Sequence, residues 1–440
     1  MTEIRPFRGL RYQAGQVGDL AKVIAPPYDA ISPDEQRALH ARSPYNVVRL
    51  EYGEARDNGE ENNRYTRAAD TLAQWLAAGV LVQDDRPALY VYDQEFEHGG
   101  ARYRRRALLT RVRLEEWAKG AVRPHEHTMA QPKEDRLRLL RACRANLSPV
   151  FALYRDPQGV ISSAVQDAVS GRSPAAVAED ARGRHTIWPL SEERVQQWLE
   201  EQFAPATLYI ADGHHRYETA LAYRNERRAA AASWTGEEAE NFVLTGVTAA
   251  EDPGLLILPI HRLVQLSQVD DSILERLRQY LAVEEVTAAQ NQGKVAAQRL
   301  LELVAERGRS AAAFGLCWPG ERLFLLTVED PQGLVARLCP ECPGQWRTLD
   351  VAVLEFALLG TILGIDPSPI EEGGAVTIVP NAQEACQRVQ TGHRSMAFLL
   401  NPVPVEKVLA VADAGQRMPP KSTFFHPKLA TGLVINRLDD

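Results

Sequence analysis

Strand-like and helix-like hydrophobic patterns alternate along the whole 440-residue chain, and this alternation constrains the fold more than any other feature of the sequence. Residues 64–78 carry apolar side chains every three or four positions, which predicts a helix, and Gly79 is placed to end it. Two apolar runs at 88–96 and 103–114 flank a glycine-rich turn and predict a hairpin. We therefore predict a mixed α/β, or α+β, fold.

The same patterns place the remaining elements. Further helices are predicted at residues 134–145, 194–203, 214–231, 271–281, 294–306, 349–363, 383–390 and 405–414. Further strands are predicted at residues 149–154, 206–210, 242–248, 255–260, 311–318, 322–329 and 396–400. A chain of this length allows two to four domains. We expect a first region over residues 1–265 and a C-terminal α+β region over 266–440, whose last loop, 418–428, returns to the first region.

Composition and charge exclude several classes of protein. Apolar residues make up 45% and charged residues 25%, which is typical of a folded globular chain. The formal net charge of −8 argues against a dedicated nucleic-acid binder, and the basic run 102–106 is expected on a solvated strand. No apolar stretch reaches the ~18 residues of a membrane helix, and no apolar leader is present, so we expect a cytoplasmic protein.

The cysteines point the same way. Five cysteines, an odd number, argue against a disulfide framework. Cys339 and Cys342 form a C-x-x-C pair in a predicted loop, and we interpret them as incidental thiols.

The segment 206–220, ATLYIADGHHRYETA, is the richest in chemistry. A predicted strand ends at Ile210, a predicted helix follows, and Gly213 between them permits a tight turn and close approach of a ligand. The free N–H groups of a helix start attract anions. Three adjacent side chains add further donors: His214, His215 and Arg216. The segment predicts a phosphate-binding loop.

Two carboxylates are candidates for chemistry. Asp212 is placed to cap the helix, and equally to hold a metal ion or a substrate hydroxyl. Asp29 follows the rigid Pro26-Pro27 pair and precedes a helix capped by Ser32. Neither rigid element explains Asp29 or its neighbour Tyr28, so Asp29 is the candidate general base or metal ligand, with Tyr28 beside it.

Two further segments are candidates for the same site. In RPHEHTMAQPKEDR, His125, Glu126 and His127 have a spacing that suits a metal if the backbone is extended, and Arg136 could neutralise phosphate. The helical zinc motif H-E-x-x-H is absent. In MPPKSTFFHPK, prolines stiffen a loop that presents cations and hydroxyls. These are Lys421, Lys428, Ser422 and Thr423. The pair His261-Arg262 is an additional candidate.

Four segments, RPFRGLRY, VIAPPYDAIS, ADGHHRYETA and MPPKSTFFHPKL, together resemble a bacterial and archaeal family of unknown function, sometimes labelled SpoOJ/ParA/ParB/RepB-like. The run D-G-H-H-R resembles the phosphate loop of the ParB/sulfiredoxin-like superfamily, most closely that of free serine kinases. The resemblance implies a ParB/sulfiredoxin-like phosphate-binding core with large insertions. It also implies that this loop contacts nucleotide phosphates while Asp212 positions the metal and the substrate hydroxyl.

Other nucleotide and hydrolase motifs are missing: G-x-x-x-x-G-K-[ST], G-x-G-x-x-G and G-x-S-x-G. We favour a kinase that uses ATP or ADP with Mg²⁺ to phosphorylate the hydroxyl of a small molecule, with free L-serine as the first acceptor by resemblance. The alternatives are a metal-dependent phosphohydrolase built on the histidines and a nucleotide-dependent ParB-like binding protein. The expected partners are a nucleotide and a small substrate, and assembly of identical subunits stays open.

Overall fold

The computed structural model describes residues 1–55, 59, 62–287, 296–366, 374–392 and 394–438. Its backbone contacts divide the chain into two compact units. Unit 1 comprises residues 1–124, 128–256 and 427–440, and unit 2 comprises residues 125–127 and 257–426. Unit 1 is therefore assembled from three stretches of chain, the last of which comes from the C-terminal end of the sequence.

The elements are numbered in chain order. The strands are β1 (Ile4–Arg5), β2 (Leu10–Tyr12), β3 (Leu81–Gln83), β4 (Leu89–His98), β5 (Ala101–Arg113), β6 (Val122–Arg123), β7 (Ala145–Asn146), β8 (Val150–Tyr154), β9 (Ala176–Asp180), β10 (Gly183–Leu190), β11 (Leu208–Asp212), β12 (Phe242–Ala249), β13 (Leu256–Leu258), β14 (His261–Gln265), β15 (Ala282–Glu285), β16 (Ala312–Trp318), β17 (Arg322–Val328), β18 (Val376–Val379), β19 (Ser395–Leu399), β20 (Phe424–His426) and β21 (Asn436–Arg437).

The helices lie between these strands. They are α1 (Ala14–Val17), α2 (Pro33–Arg42), α3 (Val48–Glu51), α4 (Arg64–Ala77), α5 (Ala130–Cys143), α6 (Val160–Val169), α7 (Glu193–Phe203), α8 (His214–Ala230), α9 (Asp271–Arg278), α10 (Ala296–Arg307), α11 (Pro331–Leu338), α12 (Asp350–Ala352), α13 (Ala382–Thr391) and α14 (Val405–Asp413). Helix α12 continues as a wider π-helix over Val353–Leu363.

Unit 1 is built on a nine-stranded mixed sheet in the order β6-β11-β8-β12-β5-β4-β10-β9, with β1 paired to β5. Strand β11 is parallel to β6, and β12 is parallel to β8, whereas the other pairs are antiparallel. The apolar side chains of the sheet and of α8 share one core, because alternate strand residues and one helix face point to the same side. Strand β11 lies next to the edge strand β6, and a single residue, Gly213, connects β11 to helix α8.

Unit 2 contains a six-stranded antiparallel sheet in the order β15-β17-β16-β19-β14-β18. Side chains of α10 and α13 share a core with this sheet. Cys317 on β16 and Cys386 on α13 are both buried in that core and form a disulfide. Cys339 and Cys342 form a second disulfide. The prediction that this pair consists of incidental thiols was wrong, because a backbone hydrogen bond turns the chain and brings the two sulfurs together.

The mixed α/β fold and most predicted elements are confirmed, with ends that shift by a few residues. Residues 294–295 of one predicted helix lie outside the described residues. Residues 176–190 carried no prediction and form the hairpin of β9 and β10. The solvated-strand prediction for 102–106 was partly wrong, because Arg105 is only 1% exposed. Across the described residues, no helix has the length and apolar character needed to cross a membrane.

Candidate functional site

The corner between β11 and α8 depends on Gly213. The pairing of β11 with β8 shifts register between Ile210 and Asp212, so the strand bulges just before the helix. Gly213 has φ +88°, and a Cβ atom built there would lie 2.9 Å from Cζ and Nε of Arg216. A side chain at position 213 would therefore strain the backbone and displace the guanidinium that packs over it.

Asp212 does not cap the helix. The N-cap is Gly213, and the Asp212 carboxylate instead accepts hydrogen bonds from Arg216 Nη2 at 2.6 Å and from Lys428 Nζ. The predicted capping role was wrong because Arg216, one helical turn along, faces back over the corner and takes the carboxylate. Burial raises the pKa of Asp212, but the charges of Lys428 and Arg216 outweigh it and hold the pKa well below its usual range. Asp212 is a permanent carboxylate between two cations.

Arg216 is fixed on two sides of the corner. Its Nη2 holds Asp212, and its Nη1 donates to the carbonyl of Pro149 just before β8. Its Nε is buried and has no hydrogen-bond partner among the described residues. The side chain is 9% exposed. Buried N–H groups are normally hydrogen-bonded, so the corner contains one unsatisfied donor.

Lys428 was predicted as one of the cations presented by the proline-stiffened loop. Its carbonyl accepts from Gln94 Nε2 at 3.1 Å, and the carbonyl of Pro427 accepts from Arg105 Nη2 at 2.6 Å. Arg105 Nη2 also donates to Gln94 Oε1 at 2.6 Å. The buried Arg105–Gln94 pair thereby fixes the backbone that aims Lys428 at Asp212. A lone arginine within a basic run gave no signal of this role.

Asp29 lies on a one-turn helix, Tyr28–Ala30, and its side chain is exposed. Burial lowers the pKa of Lys428, but the carboxylates of Asp212 and Asp29 raise it above its ordinary value. Burial also lowers the pKa of Arg216, and the same two carboxylates help to raise it above its ordinary value. Asp29 is thus within electrostatic reach of both cations that hold Asp212. These four side chains form the unit 1 cluster: Asp29, Asp212, Arg216 and Lys428.

Tyr28 and Arg136 flank this cluster. The Arg136 guanidinium lies 4.0 Å from the centre of the Tyr28 ring, donates to the Glu51 carbonyl at 2.8 Å and pairs with Asp135. A cavity of about 50 Å³ is lined by Glu51, Arg136 and Arg216, together with other residues of unit 1. Each nitrogen of the Arg136 guanidinium therefore donates a hydrogen bond within unit 1, and its charge is paired with Asp135.

The two histidines of the loop have different surroundings. His214 is buried at 4% exposure and lowers the pKa of Asp212 with a smaller effect than the two cations. His215 Nε2 accepts the backbone N–H of Met129 at 2.9 Å, at the residue preceding α5. His215 is thus an acceptor that fixes the start of α5.

Residues predicted in the two other segments meet within unit 2. His125 is 1% exposed and its Nε2 is 3.0 Å from Thr423 Oγ1, while Glu126 Oε1 accepts the backbone N–H of Lys421 at 3.2 Å. Ser422 is buried and donates to the carbonyl of Pro419 at 2.5 Å. His127 is exposed, so it does not share a face with His125. Within the described ranges, no three His, Cys, Asp or Glu side chains are grouped to hold a metal ion.

The fold and the cluster define a mixed α/β protein with a charged corner between a strand and a helix. The chain belongs to the family described as "Protein of unknown function (DUF1015)", whose model matches residues 4–352. No curated protein matches the chain.

Three solved structures show a distant similarity. A variant of a free serine kinase in complex with ADP is 13% identical and has a TM-score of 0.34, and the match covers 74% of this chain and 92% of that chain. A free serine kinase in complex with AMP has 14% identity, a TM-score of 0.33 and the same coverage. SbnI with a C-terminal truncation, from Staphylococcus aureus, has 10% identity and a TM-score of 0.35, with 76% and 90% of the two chains covered.

Proposed function

We propose that this protein is a nucleotide-dependent kinase that transfers phosphate to the hydroxyl group of a small molecule, with free L-serine as the first acceptor to test. The observation that supports it most directly is the unit 1 cluster, in which a half-buried carboxylate and two cations sit at the start of the 17-residue helix α8, within electrostatic reach of a second carboxylate. Phosphoryl transfer requires positioning and charge neutralisation more than covalent chemistry, and a corner of this kind supplies both.

Phosphate binding is assigned to the cations and to the start of α8. The free N–H groups of a helix start attract anions, and Arg216 can offer its buried Nε–H in addition. Gly213 lets the Arg216 guanidinium pack over this corner, since no Cβ occupies the space that the guanidinium takes. We also propose nucleotide contacts by His214 and His215, the first two residues of α8. Lys421 and Ser422 belong to unit 2, and their proposed contacts with the nucleotide rest on the sequence alone.

Proton transfer is assigned to Asp29. Asp212 is a poor base because two cations keep its pKa far below the range in which it would accept a proton. Asp29 is exposed and can reach an incoming hydroxyl. Asp29 would therefore take the hydroxyl proton, while Asp212 orients the acceptor and the cations.

Magnesium fits this site less well than the sequence suggested. Both Asp212 oxygens already accept hydrogen bonds from cations, Oδ1 from Lys428 and Oδ2 from Arg216. A Mg²⁺ ion takes carboxylate oxygens that are free to coordinate it. Asp212 therefore does not fit the predicted role of metal ligand. The proposed reaction contains no step that depends on the metal. The phosphohydrolase and ParB-like alternatives have no specific observation in their favour.

The experiment is phosphorus NMR of the protein with ATP or ADP, with and without Mg²⁺, against serine and then a pool of amino acids and sugars. We expect a new phosphomonoester signal. In Asp29→Asn, turnover should fall more than about 100-fold while ADP affinity changes less than about tenfold, because the base acts mainly in the transition state. The matched control is Asp34→Asn, which removes a carboxylate that is 89% exposed. Full turnover in Asp29→Asn would exclude Asp29 as the base.

A further inference from the structure

We propose that Lys428 is a phosphate-binding residue that exchanges partners: it rests on Asp212 and transfers its hydrogen bond to a terminal phosphate of a nucleoside diphosphate or triphosphate. This inference rests on the proposed function. It assigns the end of the chain a direct contact with the phosphate donor.

The position of Lys428 supports the exchange. Its ammonium bonds Asp212 at the corner, which is also the end of helix α8 that attracts anions. The Lys428 side chain is 17% exposed and that of Asp212 is 12% exposed, so a ligand can reach the pair from solvent. An ammonium with three donors on a flexible four-carbon stem can turn from a carboxylate to a phosphate without movement of the backbone.

The backbone of this segment is held in place on both sides of Lys428. Arg105 and Gln94 bind the carbonyls of Pro427 and Lys428. Three residues later, the backbone of Thr431 exchanges two hydrogen bonds with Ala25, at 2.8 and 3.2 Å. Ala25 lies four residues before Asp29, so one anchored segment positions both Lys428 and the proposed base. Movement of Lys428 is thereby confined to its side chain.

The charges in the cluster explain why an exchange is favourable. Two carboxylates, Asp29 and Asp212, act electrostatically on two cations, so the charges of the four side chains balance. A phosphate that carries two charges attracts Lys428 and Arg216 more strongly than a carboxylate does. Asp212 would then be released from Lys428 and could accept a hydrogen bond from the acceptor hydroxyl. Phosphate binding and acceptor orientation would be coupled through one side chain.

The test is calorimetric binding of ADP and of inorganic pyrophosphate to the full chain and to three variants. Lys428→Gln should weaken both ligands at least tenfold, since it removes a charge-assisted contact. Asp212→Asn should strengthen both about three- to tenfold, because it removes the competing carboxylate and leaves the two cations for the ligand. Lys119→Gln is the control for Lys428→Gln, because it removes one positive charge at an exposed position of unit 1. It should leave the affinity for both ligands unchanged.

The outcomes separate two failures. A native protein that binds neither ADP nor pyrophosphate overturns the proposed function, and this inference with it. A native protein that binds both, with unchanged affinity in Lys428→Gln, overturns the inference alone. Thermal unfolding shows whether each variant is folded. If Lys428→Gln does not fold, the ADP and pyrophosphate affinities of Asp212→Asn still test the exchange. Weaker binding in a folded Asp212→Asn would contradict the exchange, because it would make Asp212 a contributor to binding.

Discussion

At the scale of single residues, the corner of unit 1 is determined by the absence of a side chain at position 213. The local run of Asp, Gly, two His and Arg was sufficient to predict a strand-to-helix corner. It was not sufficient to predict what Asp212 binds. A carboxylate beside a helix start normally caps it, and only the packing of Arg216 over Gly213 shows why this one does not.

Substitution of Gly213 by Ala tests this geometry. An Ala at φ +88° costs ~1–2 kcal/mol of backbone strain, and its Cβ would also displace the Arg216 guanidinium. We expect lower stability and at least tenfold weaker ADP binding, measured by chemical unfolding and calorimetry. Gly79→Ala is the matched control, since Gly79 has φ +68° and its Cβ would meet no atom of the described residues within 4 Å. Normal ADP affinity in Gly213→Ala would show that the ligand does not use this corner.

At the scale of elements, the stretch 427–438 joins unit 1 through a two-residue strand and two isolated backbone bridges. It pairs β21 with β7, and its Thr431 hydroxyl lies 2.9 Å from Ser148 Oγ. Several of its side chains are buried in unit 1: Leu429, Leu433, Val434, Ile435 and Leu438. The sequence predicted a proline-stiffened loop here. It could not indicate that the loop continues into the sheet region of the first half of the chain.

Arg105 on β5 is the element-scale link between the sheet and this stretch. Arg105→Met would leave Gln94 Oε1 and the Pro427 carbonyl without their donor, and each unsatisfied buried acceptor costs ~1–3 kcal/mol. We expect stability to fall by ~2–4 kcal/mol and ADP affinity to fall at least threefold, because Lys428 loses its fixed position. Arg104→Met, at the exposed neighbouring position of the same strand, should change both by little. Unchanged ADP affinity in a destabilised Arg105→Met protein would limit Arg105 to a structural role.

At the scale of the whole molecule, acid should destabilise the protein through one buried histidine of unit 2. His261 in unit 2 is 1% exposed, and its Nδ1 accepts the N–H of Leu400 at 3.2 Å. Burial, and then the charge of Arg262, lower the pKa of His261 from 6.5 to about 4. The unfolded chain therefore binds more protons than the folded one between these values. The contribution of neutral His261 to the free energy of unfolding is fully present above pH ~6.5 and is lost as the pH falls to about 4.

The resulting loss in unit 2 is ~3 kcal/mol, because each pKa unit corresponds to about 1.4 kcal/mol. Urea unfolding of the native protein and of His261→Gln at pH 7 and pH 4.5 checks it, with tryptophan fluorescence as the probe. The variant should lose less stability on acidification than the native protein. An equal pH dependence in both would assign the acid sensitivity to other groups.

The sequence by itself determined the class of fold, the positions of most helices and strands, and the Asp212–Arg216 corner. These features depend on residues close together in the chain, where hydrophobic period, turn residues and helix ends act locally. The tertiary structure alone decided that Lys428 meets Asp212, 216 positions away, and that His125 meets Thr423, 298 positions away. It also decided that Arg105 is buried while its neighbour Arg104 is exposed. The physical reason is that strand order, register and the return of the chain end into unit 1 are set by which apolar faces bury one another, and that choice is not encoded in any local stretch.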